Sequence, residues 1–188
     1  MRLLSILLPE GFDEADAALA FHTLRAARAL GASFETELLA ADPVVLGAHG
    51  LRVLPSRLGW DLARSEAIVI PAVDPARLPA TLEDATLLRA LARFDTGRRR
   101  VCALGNGAQL VARAGHVRDR RVAGAGPPGE VLRASGATVE PGPVVVDGHV
   151  ITTLPGARAR REGLLALVAA LEGEAFAARL AAEGAARA

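Results

Sequence analysis

The chain has no tyrosine and no lysine, one tryptophan, five phenylalanines and a single cysteine, Cys102. One cysteine excludes an intramolecular disulfide and fits a reducing compartment. The scarcity of aromatics excludes the stacking platforms on which single-stranded nucleic acid is held. It also requires a core built from alanine, leucine and valine. Charge of one sign is missing too. Twenty-two arginines stand against 21 acids, a formal net charge of +1, which gives no electrostatic footprint for a nucleic-acid binder. Arg98-Arg99-Arg100 and Arg158 to Arg161 therefore read as solvated faces rather than anion sites. No apolar run is long enough to span a bilayer. Leu3 to Leu8 stops at Pro9 and is followed by Glu10, Asp13, Glu14 and Asp16, which argues against a secretory leader as well. A cytoplasmic protein with no nucleic-acid and no membrane partner is expected.

Several catalytic signatures are absent. There is no Walker-type loop, no dinucleotide fingerprint after the first strand, and no GxSxG elbow. His22, His49, His116 and His149 lie on separate elements without paired spacing, so no metal site is expected.

What is present alternates. Leu3–Leu8 reads as a strand buried on both faces. Asp13 or Glu14 opens a helix with apolar residues at helical spacing, closed by Gly31. Ser33–Leu39 is a strand, and Val44 to Leu54 a hairpin around Gly-Ala-His-Gly. Ala67–Ile70 is a strand stopped by Pro71. Leu82–Phe94 is an amphipathic helix, Arg100–Leu104 a strand, and Asn106–Ala114 a helix closed by Gly115. Gly124 to Gly129 reads as loop, leading to a short helix ending at Ala134. Val144–Ile151 is a hairpin with an Asp-Gly turn. Helices at Ala157–Leu171 and Ala175–Ala182 complete the chain. This alternation predicts a mostly parallel sheet covered by helices on both faces, with antiparallel excursions. A single domain over residues 1–183 is expected, with 184–188 as a frayed tail.

The most informative stretch is Arg100-Val101-Cys102-Ala103-Leu104-Gly105-Asn106-Gly107-Ala108-Gln109-Leu110. A buried strand runs through an abrupt turn into a helix, the geometry that pushes a nucleophile into a cleft in several α/β enzymes. At the apex stands Gly105, which has no side chain to attack with. Cys102 lies three residues earlier, roughly 10 Å away at strand rise, and reads as a small buried hydrophobe.

Three segments resemble the ThiJ/PfpI superfamily, of the class I glutamine amidotransferase-like fold. They are Leu8-Pro9-Glu10-Gly11-Phe12-Asp13-Glu14-Ala15-Asp16, the stretch Val101 to Gly115, and Val145 through Thr153 to Leu167. His49-Gly50-Leu51-Arg52-Val53 is similar to its amidase-like and isocyanide-hydratase-like branch. The resemblance implies a flavodoxin-like three-layer sandwich and a homodimer. It also implies a catalytic cysteine at the elbow, which is Gly105 here, faced by a carboxylate, which Asp16 matches. The family's glycine pair after the central strand corresponds to Ala72-Val73. Its histidine after the nucleophile helix has no counterpart in Arg121 to Ala125.

The expected protein is thus a divergent, non-catalytic ThiJ/PfpI-like pseudoenzyme without a cofactor, and no residue is assigned as catalytic. Asp16, Gly105 and Asn106 form its vestigial site. Asp16, Asn106, Ala72 and Val73 are the candidate residues for binding a small-molecule ligand. Asp16 either binds water or a ligand donor, or supports the helix N-terminus. Asn106 either caps its helix, the simpler reading, or reaches into the cleft. The alternative function is a hydrolase or hydratase using Asp16 and water in place of a thiol.

Overall fold

The computed structural model describes residues 2–186. In chain order it contains β1 (Arg2–Leu7), α1 (Glu14–Ala29), β2 (Phe34–Ala40), the short β3 (Val45–Leu46), β4 (Arg52–Val53) and β5 (Arg57–Leu58), and β6 (Ser65–Ile70). Next come α2 (Leu78–Thr81), α3 (Ala85–Ala92), β7 (Arg100–Ala103), a 3-10 turn over Gly105–Gly107, α4 (Ala108–Arg113), β8 (Arg121–Ala123) and α5 (Gly126–Ala134). The chain continues through β9 (Thr138–Glu140), β10 (Val144–Asp147), β11 (Val150–Thr153), α6 (Ala157–Glu172) and α7 (Glu174–Ala186).

Seven strands pair in the order β10-β11-β7-β6-β1-β2-β5, all parallel except β10 with β11. The central strands are apolar on both faces and alternate strictly. Ala67, Val69, Cys102 and Leu104 point to one core, packed under α1, α6 and α7. Ile68, Ile70, Val101 and Ala103 point to the other, packed under α2 to α5. The expected three-layer α/β architecture is therefore present. Strand order reverses at β1, with β2 on one side and β6 on the other. Ligand crevices of open α/β sheets form outside the carboxyl ends of strands at such a point. Among the described residues, no helix is long and apolar enough to cross a membrane.

Several local expectations need correction. Helix α3 starts at Ala85 rather than Leu82, because the Asp84 side chain accepts from the backbone N–H groups of Thr86 and Leu87 and caps it there. Leu82 instead closes the separate turn of α2. The Gly126-Pro127-Pro128-Gly129 stretch is the first turn of α5 rather than loop, since proline near a helix start forfeits no intrahelical bond. Strands β5, β8 and β9 are additions to the pattern read from the sequence. The helix after the elbow begins as a 3-10 turn, and α4 proper starts at Ala108. The tail expected over 184–188 overlaps the end of the last helix. Helix α7 runs through Ala186, and residues 187–188 lie outside the described residues.

Candidate functional site

The elbow forms where the sequence pattern puts it. Leu104 is extended, and its N–H bonds to Ile70 O as the last rung of the sheet (2.9 Å). Gly105 then takes φ +52°, in the left-handed region that a side chain disfavours. Its N–H donates to Thr153 Oγ1 at the end of β11 (3.3 Å). The turn thus sits at the carboxyl ends of β6, β7 and β11.

Asp16 lies in the first turn of α1 and is fully buried. The helix cap is Asp13, whose carboxylate accepts from Asp16 N–H (2.8 Å), so Asp16 is free for another role. Its Oδ2 accepts from Ala72 N–H (2.8 Å), and its Oδ1 faces Arg160 Nε as an ion pair. Arg160 also reaches Asp13 Oδ2 (3.4 Å). Burial raises the Asp16 carboxyl to about 6, against the lowering pull of the Ala72 amide and the Arg160 guanidinium.

Arg160 is the site residue that sequence reasoning missed. A faint signal existed. Helix α6 opens with arginines and no acid in its first turn, the reverse of what the helix dipole favours. Arg160 answers to Asp13 and Asp16 instead, while Arg158 pairs with Glu162 (2.7 Å) and Arg161 donates to Ala181 O.

Asn106 neither caps its helix nor extends into open space. Its amide donates to Val73 O (2.7 Å) and its Oδ1 accepts from Val73 N–H (2.8 Å), imitating one rung of a β-ladder. The other side of this segment is equally engaged. Asp13 N–H donates to Ala72 O (2.7 Å), and Asp74 N–H donates to Gly11 O (2.8 Å). Every backbone polar group from Ala72 N–H to Asp74 N–H is therefore bonded within the protein. Asp16 bonds Ala72 and Asn106 bonds Val73, so these four residues lie together, bound to one another.

Glu14, in the same first turn of α1, clamps the β3–β4 hairpin. It accepts from His49 N–H (2.6 Å), from Leu51 N–H (3.3 Å), and pairs with the His49 ring (2.7 Å). Burial opposes its ionisation, but these bonds outweigh it and hold Glu14 at about 2. The same pairing raises His49. His116 bonds Leu91 O (2.7 Å) through Nε2, far from His49. Among the described residues no cluster of histidine, cysteine and acid side chains fits a metal ion.

Cys102 is fully buried on β7 against α6, its Sγ 3.7 Å from Gly163 O. Burial, aided by the Asp16 charge, pushes its thiol up to about 12. Thiolate is the reactive form, so native protein will not react with a bulky maleimide over hours, whereas protein in urea will label fully. Rapid native labelling, followed by mass spectrometry, would contradict this placement.

Two concavities frame the sheet. A cavity of about 180 Å³ adjoins Gly105, Asn106, Gln109, Thr153 and Pro155, and Asp16 does not line it. A wider concavity of about 1070 Å³ lies at the opposite, amino ends of β6 and β7. There the Arg99 guanidinium stacks 4.3 Å from the Phe94 ring and donates to the carbonyls of Leu62, Ala63 and Ser65, a structural role.

The sequence profile of the DJ-1/PfpI family matches residues 2–166. No curated protein matches the chain. Among solved structures, a DJ-1 superfamily protein of Salmonella typhimurium, determined as a cysteine-to-alanine mutant, is 24% identical with a TM-score of 0.79, covering 97% of each chain. Drosophila melanogaster DJ-1beta is 18% identical with a TM-score of 0.82, covering 97% of this chain and 96% of its own. An AraC family transcriptional regulator of Pseudomonas putida is 23% identical with a TM-score of 0.80, covering 96% and 97%. At these identities each is a likeness of fold.

Proposed function

Because this chain belongs to the DJ-1/PfpI family, we propose that it is a divergent, non-catalytic member that keeps a small-molecule cleft beside Gly105. The observation that carries this reading is the apex residue. Gly105 stands at the strand-to-helix turn where the family resemblance puts a cysteine, and glycine supplies no nucleophile. The surroundings support it. The acid that would tune a thiol is paired with Arg160, and the N–H groups of Ala72 and Val73 are taken by Asp16 and Asn106. Neither donor is free to stabilise an oxyanion, and losing one such donor typically costs about 2.7–4 kcal/mol of transition-state stabilisation. Purified protein will show no thiol-dependent amidase, protease, glyoxalase-type or deglycase turnover, and Cys102→Ser will change nothing in those assays. Turnover by the wild type that Cys102→Ser abolishes would overturn the reading.

One observation favours a second reading, a hydrolase or hydratase in which Asp16 activates water. A carboxyl raised to about 6 is suited to general-base work near neutral pH. Yet Asp16 is fully buried with both oxygens engaged, so the base would have to be uncovered by withdrawal of Arg160. Under this reading Arg160→Met gains amide or nitrile hydrolysis, and under the first it gains none.

The first reading also takes the protein as a cytoplasmic homodimer without a cofactor and without nucleic-acid or membrane partners. The dimer rests on the family resemblance. Sedimentation giving only monomer at tens of micromolar would remove it.

A further inference from the structure

A formal net charge of +1 conceals an uneven distribution. Residues 89–133 carry ten of the 22 arginines and only three of the 21 acids, Asp95, Asp119 and Glu130. The rest of the chain has twelve arginines against 18 acids. The fold gathers the basic excess at one end. Helices α3, α4 and α5 each follow a strand and return against its direction, so their C-termini meet at the amino edge of the sheet. Direct bonds stitch these ends together. His116, just beyond α4, bonds Leu91 O on α3 (2.7 Å) and Thr96 Oγ1 (3.3 Å). Asp119 N–H donates to Gly136 O, just past α5 (3.0 Å).

Most of these arginines have no internal partner. Among the described residues only Arg98 and Arg121 pair with carboxylates, while Arg99 and Arg120 donate to backbone carbonyls. Arg89, Arg93, Arg113, Arg118 and Arg133 are exposed and Arg100 is half-buried, all without such a bond. The last-turn residues Arg89, Arg113 and Arg133 offset the dipoles of their own helices. Arg100 and Arg118 lie on no helix and have no such role. Like charges crowded along one rim repel one another, and an anionic partner relieves that repulsion.

We propose that this rim docks a short acidic segment of another protein, its carboxylates paired with the arginine forks. The surface is separate from the cleft beside Gly105, which lies at the carboxyl ends of the strands. The limits of the patch select the partner. The concavity of about 1070 Å³ that Arg89 and Arg93 line also holds Asp61 and Glu66, and acids are in excess over the remainder of the chain. A nucleic-acid duplex overruns the patch and meets that repulsion, whereas a segment of a few residues does not. Single-stranded nucleic acid needs exposed aromatic faces, and Phe94, the one aromatic of residues 89–133, is buried. An anionic bilayer favours apolar side chains that insert, and Val131 is the one large exposed apolar residue in that span.

The test is fluorescence anisotropy with a fluorescein-labelled peptide of ten glutamates, at about 20 mM and about 150 mM salt, the higher of which shortens the screening length to about 8 Å. Wild-type protein binds the peptide at the lower salt and about tenfold more weakly at the higher. Arg89→Glu with Arg93→Glu, and Arg113→Glu with Arg118→Glu, each weaken low-salt binding by about tenfold or more. Arg52→Glu with Arg77→Glu makes the same change of total charge at exposed, unpaired arginines outside the rim, and leaves binding within about twofold. No peptide binding at low salt overturns the proposal. An equal loss in the Arg52 and Arg77 variant also overturns it, since total charge alone would then account for binding. Tighter binding of a DNA duplex or of phosphatidylserine vesicles than of the peptide assigns the rim to that partner and overturns the acidic segment. None of these outcomes bears on the cleft beside Gly105, so the two readings fail separately.

Discussion

Replacing Arg160 with methionine will destabilise the protein by about 3 kcal/mol at pH 8, the lower end of the cost of breaking a buried ion pair, and by about 1 kcal/mol or less at pH 5. The asymmetry follows from Asp16. Its carboxyl is raised above its unfolded value, to about 6. Between the unfolded value and 6 the folded state binds the extra proton, so stability falls as pH rises through that window. Arg160 offsets the charge that appears above it. Without the guanidinium, Asp16 is a buried carboxylate facing only the Ala72 amide, and its carboxyl shifts further up. At pH 5 the carboxyl is already protonated in both proteins, and little distinguishes them. Adding Asp16→Asn to Arg160→Met will recover part of the loss at pH 8, since the uncompensated charge is gone. Urea denaturation at the two pH values checks this. An equal penalty at both would mean that Arg160 contributes packing rather than charge.

The fold was legible because its signals are local and redundant. Ala67–Ile70 and Val101–Leu104 are short, continuously apolar and stopped by Pro71 and Gly105, which suits strands covered on both faces. Helix α1 shows both its periodicity and its closing Gly31. The elbow was legible for the same reason, since Gly-Asn-Gly after a buried strand has few other conformations. Errors arose where a tertiary or capping interaction decides. Leu82 looked helical by spacing, but Asp84 caps the helix beyond it. The pair β8–β9 is three residues long on each side and is held by its neighbours. At the site, the candidate residues were found but their connections were not. The bonds from Asn106 to Val73 span 33 residues, and the contact of Arg160 with Asp13 spans 147. No periodicity encodes either. An arginine in the wrong half of a helix was the one trace that Arg160 left.

Two glycines of the elbow, two residues apart, will fail for different reasons and by different amounts. Gly107→Ala will cost at least about 3 kcal/mol, the upper range for overpacking a rigid core. Gly107 has ordinary helical φ (−55°), so alanine suits its backbone conformation. Its added Cβ, however, would lie 2.6 Å from Pro71 O and 2.8 Å from Ile70 O. Both are backbone atoms at the end of β6, and Ile70 O is already fixed by Leu104 N–H (2.9 Å). Nothing flexible is there to give way. Gly105→Ala meets only ordinary contacts, the nearest 3.4 Å away, and carries the strain of φ +52°, about 1–2 kcal/mol. Gly142→Ala, with no contact under 3.6 Å and no positive φ, is the neutral control. Denaturation midpoints will therefore rank Gly142→Ala above Gly105→Ala, and that above Gly107→Ala. A Gly107→Ala midpoint equal to the control would mean that the approach of α4 to β6 is looser than these distances require. The ranking bears on function as well. Because a side chain at position 105 costs strain rather than a clash, Gly105→Cys will fold. Its thiol will nonetheless turn over no substrate while Arg160 holds Asp16 and the amides of Ala72 and Val73 stay occupied.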